Sequence, residues 1–195
     1  MAIPLINRIR RNHGLEHATI HVLAEHHKGF SAQGNSDHRG FHLNIYGDVA
    51  EEDVAAAVDE AHRRLINGEH NLAVHPNCGT VLVTTAALAT VAAQAVFAFD
   101  QWRYSREKTP RPLDYFNVLP GAIIAVVGAL IVGRPLGVRL QARYTVDGQL
   151  GDLQVASVQP VPPSLVTRLF HLLLTGGNRR LPPRAYFIRT TGGEQ

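Results

Sequence analysis

Apolar positions recur along this chain with three different periods. From Pro4 to about Lys28, the stripe Ile6, Ile9, His13, His17, Ile20 and Ala24 repeats every three or four residues, which predicts a helix. Gly29 ends it. The polar, glycine-containing stretch from Ser31 to Gly40 reads as a loop, and Phe41 to Tyr46 as a short alternating strand. A second helix is expected from about Ala50 to Ile66, capped by Asp48, with Val54, Ala57, Val58, Ala61 and Leu65 on its buried face. Leu72 to Val74 suits a further short strand.

The pattern then loses its polar positions. No Asp, Glu, Lys or Arg occurs in the 30 residues from His70 to Phe99, and the apolar heart of that run begins at Gly79. Tyr115 to Gly133 is a second charge-free run. About 20 apolar residues cross the hydrocarbon core of a bilayer. A buried helical hairpin in a soluble protein would also read this way, but three features favour a membrane. The runs come as a pair. Trp102 and Tyr104 follow the first, and Tyr115 and Phe116 open the second, like interfacial aromatics. Ala89 and Ala93, and then Gly121, Ala125 and Ala129, recur at four-residue spacing and would let two helices approach closely.

Past the second run the period becomes two. Val138, Leu140, Ala142, Tyr144 and Val146 alternate, Asp147-Gly148 signals a turn, and Leu153, Val155 and Ser157 alternate again. A helix from about Ser164 to Leu174 and a last strand from Ala185 to Arg189 complete the pattern. The expected architecture is an α/β membrane protein in three parts. These are an N-terminal helix–strand–helix unit (1–77), a two-helix transmembrane hairpin (78–134, spans at about 79–99 and 116–133) and a small C-terminal antiparallel β-rich unit (135–195).

Composition alters this picture little. At 45% hydrophobic and 18% charged residues, the chain is no disordered tract, collagen or disulfide scaffold, and its lone Cys78 has no internal partner for a disulfide. The net charge of +3 is spread over scattered arginines, which argues against a nucleic-acid partner. The bilayer is the expected partner, with a larger membrane complex as a further candidate. No secretory leader pattern opens the chain, because Arg8, Arg10 and Arg11 follow the first apolar residues instead of preceding them. Basic residues flank the two runs almost evenly, but an even number of spans leaves both termini on one side. A multi-pass protein of the cell membrane with cytoplasmic termini is expected.

Ten of the 11 histidines lie within the first 75 residues. His13-Gly-Leu-Glu16-His17 is an HxxEH pattern, in which His13 and His17 share a helix face and can reach one ion. In inverted zinc peptidases this spacing supplies two ligands and a general base, here Glu16. His75-Pro-Asn-Cys78 can chelate a metal across its turn. His13 and His17 with either His75 or Cys78 would leave a fourth position open for catalysis, whereas all four together would close the site. A third possibility is a metal-free helix-entry turn. His21 continues the four-residue series as a ligand or supporting partner, and His70 beside Glu69 is a candidate supporting pair.

The pairing of HGxEH with HPxCGT, followed at once by a hydrophobic run, resembles the YqhQ-type bacterial membrane proteins, regarded as metal-dependent enzymes. Ala18 stands where that type usually has Lys. More of the chain is similar to a shorter uncharacterised family from cyanobacteria and green non-sulfur bacteria. That family has an RGF…YGDV segment (Arg39 to Val49 here) between the motifs and a GDL segment (Gly151 to Leu153) after the hairpin. The resemblance implies a metal role for His13, His17, His75 and Cys78 and a base role for Glu16. The expected activity is a membrane-associated, peptidase-like hydrolase using a divalent metal, zinc by preference. The alternative is a non-catalytic membrane subunit or adaptor whose metal is structural.

Overall fold

The computed structural model describes residues 2–104, 114–165, 167–169, 172 and 184–193. In chain order the elements are α1 (Ala2–His26), β1 (Ser31–Asp37), β2 (Gly40–Tyr46), α2 (Glu51–Ile66), a 3-10 turn (His70–Ala73), α3 (Gly79–Tyr104), α4 (Asp114–Leu140), a π turn (Gln141–Thr145), β3 (Gln154–Val161) and β4 (Arg184–Thr191). They divide into two compact units, residues 1–75 with 142–195, and residues 76–141.

The first unit is a mixed α/β body around one antiparallel sheet of order β1-β2-β4-β3. β4 lies between β2 and β3, pairing Leu43 with Tyr186 and Val158 with Ile188. The N-terminal and C-terminal segments expected as separate units therefore share one sheet. The physical reason is the core. Phe41, Leu43 and Ile45 of β2 and Tyr186 and Ile188 of β4 enter the same apolar cluster as Leu15, Val22 and Leu23 of α1. Neither segment alone presents enough apolar surface to close a core. α2 buries Val54, Ala57, Val58, Ala61 and Leu65, as its sequence period requires. Its cap differs from expectation: Ala50 holds that position without a side-chain hydrogen bond, and Asp48 is exposed.

Three local expectations are corrected. Ser31 to Asp37 is a strand, paired along its whole length with β2. It looks like a loop in sequence because it is a polar edge strand whose α1-facing positions, Gly34 and Ser36, are small. Leu72 to Val74 does not form a strand. Leu72 and Ala73 are buried in the 3-10 turn. The carbonyls of Ala73 and Val74 are hydrogen-bonded by histidine rings of α1. The alternation from Val138 to Val146 is helical: α4 runs to Leu140 and the π turn to Thr145. Gly133, Gly137 and Gln141 are the buried positions there, a four-residue period that outranks the apparent alternation. Of the helix expected from Ser164 to Leu174, the described residues Leu165, Thr167, Arg168, Leu169 and Leu172 are helical, and Ser164 Oγ accepts from Thr167 N–H at 3.1 Å like an N-cap.

A buried polar tie links α1 to both ends of the sheet's chain order. Asn12 donates from Nδ2 to the Asp37 carbonyl at 2.7 Å and accepts from Thr190 Oγ1 at 2.7 Å. Unpaired, a fully buried amide would cost about 1–3 kcal/mol.

The second unit is an antiparallel pair, α3 against α4. Both helices are long and apolar enough to cross a membrane, with an 18-residue window of mean hydropathy 1.9 within Gly79–Arg103 and one of 2.2 within Phe116–Thr145. Their ends overrun the spans expected at 79–99 and 116–133. Close approach occurs at Gly137 and Gly133, where an added Cβ would come within 2.8 Å of Val81 Cα and 3.0 Å of Thr85 Cα. Gly121, one of the small residues singled out by spacing, faces Val96 at an ordinary 3.6 Å. The hydroxyls of Thr84, Thr85 and Thr90 donate to carbonyls one turn back, so they carry no unmet polarity on the helix surface.

Candidate metal centre

α1 brings His13, His17 and His21 onto one face at four-residue steps. The His13 and His17 ring centroids are 4.4 Å apart. His75, at the end of the first unit's N-terminal segment, lies 5.8 Å from His17 and 5.0 Å from His21 by the same measure. Four imidazoles thus form a continuous series, His13–His17–His75–His21.

Backbone carbonyls set the orientation of three of these rings. His13 Nδ1 donates to Thr145 O at 2.9 Å, and His17 Nδ1 donates to Ala73 O at 2.7 Å. His21 donates through Nε2 to Val74 O at 3.1 Å. A carbonyl only accepts, so each bonded nitrogen carries the proton. In the neutral rings the lone pair is left on Nε2 of His13 and His17, and on Nδ1 of His21. A backbone carbonyl holding one ring nitrogen so that the other can ligate is the usual support for a metal-binding imidazole. The irregular backbone around residues 70–75 and 141–145 has this consequence: it presents carbonyls that regular strands would have spent on their neighbours.

His13, His17 and Cys78 form a group that could hold a metal ion, with one ligand atom from each lying within 4.8 Å of the others. His17 and Cys78 are buried and His13 is partly so. Two borderline nitrogens and a soft sulfur suit zinc better than a hard cation. This donor set fits the expected ion. Among the described residues, His75 and Glu16 are not members of that group.

Glu16 is 3% exposed. Its Oε2 accepts from Ser36 Oγ at 2.6 Å, and its carboxylate lies against Gly34, where any Cβ would run into it. The carboxylate therefore rests on β1. The sequence pattern places Ser36 and Gly34 in a loop and does not reveal them as neighbours of Glu16. The available signal was the alternation of small residues, Ala32, Gly34 and Ser36, with the larger Gln33 and Asn35. The supporting pair expected of Glu69 and His70 does not form: Glu69 accepts from Arg64 at 2.8 Å, and His70 bonds Gly148 O. Hydrogen bonds from Arg64 hold the Glu69 carboxyl below its ordinary pKa. Asp37 and Arg39 close the β1–β2 turn.

Residues 8–158, which contain both motifs, match the family described as Domain of unknown function (DUF6391). The chain belongs to this family. An uncharacterized protein of Picosynechococcus sp. (strain ATCC 27264 / PCC 7002 / PR-6) is 42% identical to the DUF6391 chain over 98 residues, covering 44% of the chain and 47% of that relative. The chain thus spans about half the length of the curated relative it matches. No solved structure matches this DUF6391 protein.

Proposed function

We propose that this DUF6391 chain is a membrane-anchored, metal-dependent hydrolase of peptidase type, with zinc held by His13, His17 and Cys78. The observation that carries the reading is the proximity of these three donors, each within 4.8 Å of the others, two of them with the second ring nitrogen tied to a backbone carbonyl. Three protein ligands are the usual complement of a catalytic zinc, since a fourth position must stay open. When bound, zinc polarises a substrate carbonyl and lowers the pKa of water towards neutrality. The residues of the chain do the rest. Thr145 and Ala73 orient the two imidazoles through their carbonyls. Glu16, one residue before His17, takes the proton of the attacking water, and Ser36 holds one of its oxygens in place.

In this reading α3 and α4 cross the bilayer and both termini are cytoplasmic. The pairing of β2 with β4 supports a common side, because residues 40–46 and 184–191 belong to one sheet and flank both helices in sequence.

A second reading, a non-catalytic membrane subunit with a structural metal, draws on the Ser36–Glu16 hydrogen bond, which occupies an oxygen that a base would use. His75 would then be the fourth ligand of a closed site. Metal analysis of the purified chain, combined with two variants, tests both. Zinc near one per chain, lost in His17→Ala, is expected. Glu16→Gln should keep the metal and abolish cleavage of a fluorogenic peptide library. A wild type without cleavage, whose first unit unfolds when the metal is removed, would support the structural reading. Absence of stoichiometric metal would overturn both.

A further inference from the structure

We propose that the outer edge of β1 binds an extended peptide main chain to main chain, and that such peptides are the substrate class of the hydrolase proposed above. The inference rests on that reading and adds to it where the substrate lies.

The sheet order leaves two edges, β1 and β3. Exposed edges invite pairing with another chain, and proteins commonly blunt them with bulges, prolines or lysines. β3 is blunted in this way. Its register with β4 is broken between Val155 and Ser157, Pro160 lies within it, and Pro162-Pro163 follow. β1 carries none of these devices. Its seven residues, Ser31–Asp37, pair with β2 in unbroken register, with no proline, lysine or arginine among them. The only charge is Asp37, at the turn end.

Alternate residues of an edge strand point their N–H and C=O groups away from the neighbouring strand. Among the described residues, the only hydrogen bond to the β1 backbone from outside its ladder with β2 is that of Asn12 Nδ2 to the Asp37 carbonyl at the turn end, and α1 packs against the Gly34–Ser36 face and not along the edge. The outward side chains, Gln33 and Asn35, are exposed, short and uncharged. An edge of this composition offers no apolar pocket, so it would select a peptide by its backbone and tolerate many sequences.

What ties the edge to the chemistry is Glu16. Gly34 and Ser36 are the β1 residues against which its carboxylate lies. Gly34 is required for that approach, because any side chain there would displace the carboxylate. A peptide added to β1 would therefore run alongside the same short segment that positions the proposed base.

Hydrogen–deuterium exchange on the full zinc-loaded chain in lipid nanodiscs tests this, with a tryptic digest of reduced, carboxymethylated casein as probe. The inward amides of β1 are already bonded to β2. Peptide addition should therefore slow every second amide across 31–37, by about tenfold or more at saturation. The double substitution Gln33→Lys with Asn35→Lys should remove this protection while leaving zinc content and thermal unfolding unchanged. Uniform protection, none at all, or the same protection in the double variant would overturn the proposal. So would protection that grows with chain concentration in the absence of the digest, which would mean pairing between two copies. Alternating protection without cleavage would leave the peptide edge standing and overturn the hydrolase. Cleavage without protection of β1 would do the reverse.

Discussion

α2 and α3 are both helices with many apolar residues, yet they bury them in opposite ways. In α2 the apolar residues form one stripe, and Val54, Val58 and Leu65 are all 0% exposed. In α3 they surround the helix, and its most apolar 18-residue window is only 6% buried within the protein. Val83 is 70% exposed there, and Ile124 of α4 is 72% exposed. An apolar side chain gains about 25 cal/mol per Å² wherever it leaves water. α2 escapes water into a protein core. Among the described residues, the surface of α3 and α4 finds no such core. The comparison teaches that sequence period, and not apolar content, tells which solvent a helix was made for.

The sharpest way to break this comparison is to put the same charge into each region. Val58→Asp places an unpaired carboxylate in the core of the first unit and should cost about 4 kcal/mol or more, enough to abolish its cooperative unfolding by near-UV circular dichroism. Ile124→Asp should leave that transition alone and instead lower insertion of α4 by about 3 kcal/mol in a translocon insertion assay. A wild type that is monodisperse without detergent, together with an Ile124→Asp variant of unchanged insertion, would sink the membrane reading of the second unit.

The next effect is local to the first unit. Gly34→Ala adds a methyl group where the Glu16 carboxylate lies and should destabilise that unit by about 1–3 kcal/mol. The matching change in the helical pair, Gly137→Ala, meets Val81 Cα at 2.8 Å and should cost a similar amount by separating α3 from α4. Denaturant melts of the two variants, followed by reporters in each unit, should show the losses in different transitions. One shared transition would mean that the two units do not unfold independently.

The regions also differ in how far their sequences could be read. Long, strongly patterned elements were readable: the buried face of α2 was given residue by residue by its period, and α3 and α4 by their freedom from charge. The metal-ligand candidates His13 and His17 were readable too, because i and i+4 on a helix is a fixed geometry. What was hidden depends on partners distant in sequence. Ser31 to Asp37 has no alternation of apolar residues, since a polar edge strand buries almost none. Its strand character comes from the ladder that β2 provides. The carbonyls that orient His13 and His17 belong to Thr145 and Ala73, 132 and 56 residues away. No local pattern reports such a bond. Insertion of β4 between β2 and β3 merged two expected units for the same reason.

The smallest expected effect separates the regions by pH. Asp37 sits at the β1–β2 turn. Partial burial pushes its pKa up, but hydrogen bonds from the Arg39 backbone and side chain outweigh this and leave it below the ordinary value. A carboxylate whose folded pKa is depressed adds stability above its unfolded pKa of about 3.9, and that contribution is lost as pH falls through the folded value. The pair is exposed, so the change should stay within the 0–1 kcal/mol typical of about any surface ion pair. It should appear as falling protection of the 37–40 turn amides below about pH 4, after correction for intrinsic exchange. Asp37→Asn keeps an oxygen for the Arg39 and Gly40 N–H groups but removes the charge, so the pH dependence should vanish while protection at pH 7 changes little. No charged side chain lies between Gly79 and Phe99, so amides along that part of α3 should show no corresponding step over the same range. A step of equal size in α3 would mean that the pH response belongs to the whole chain and not to the turn.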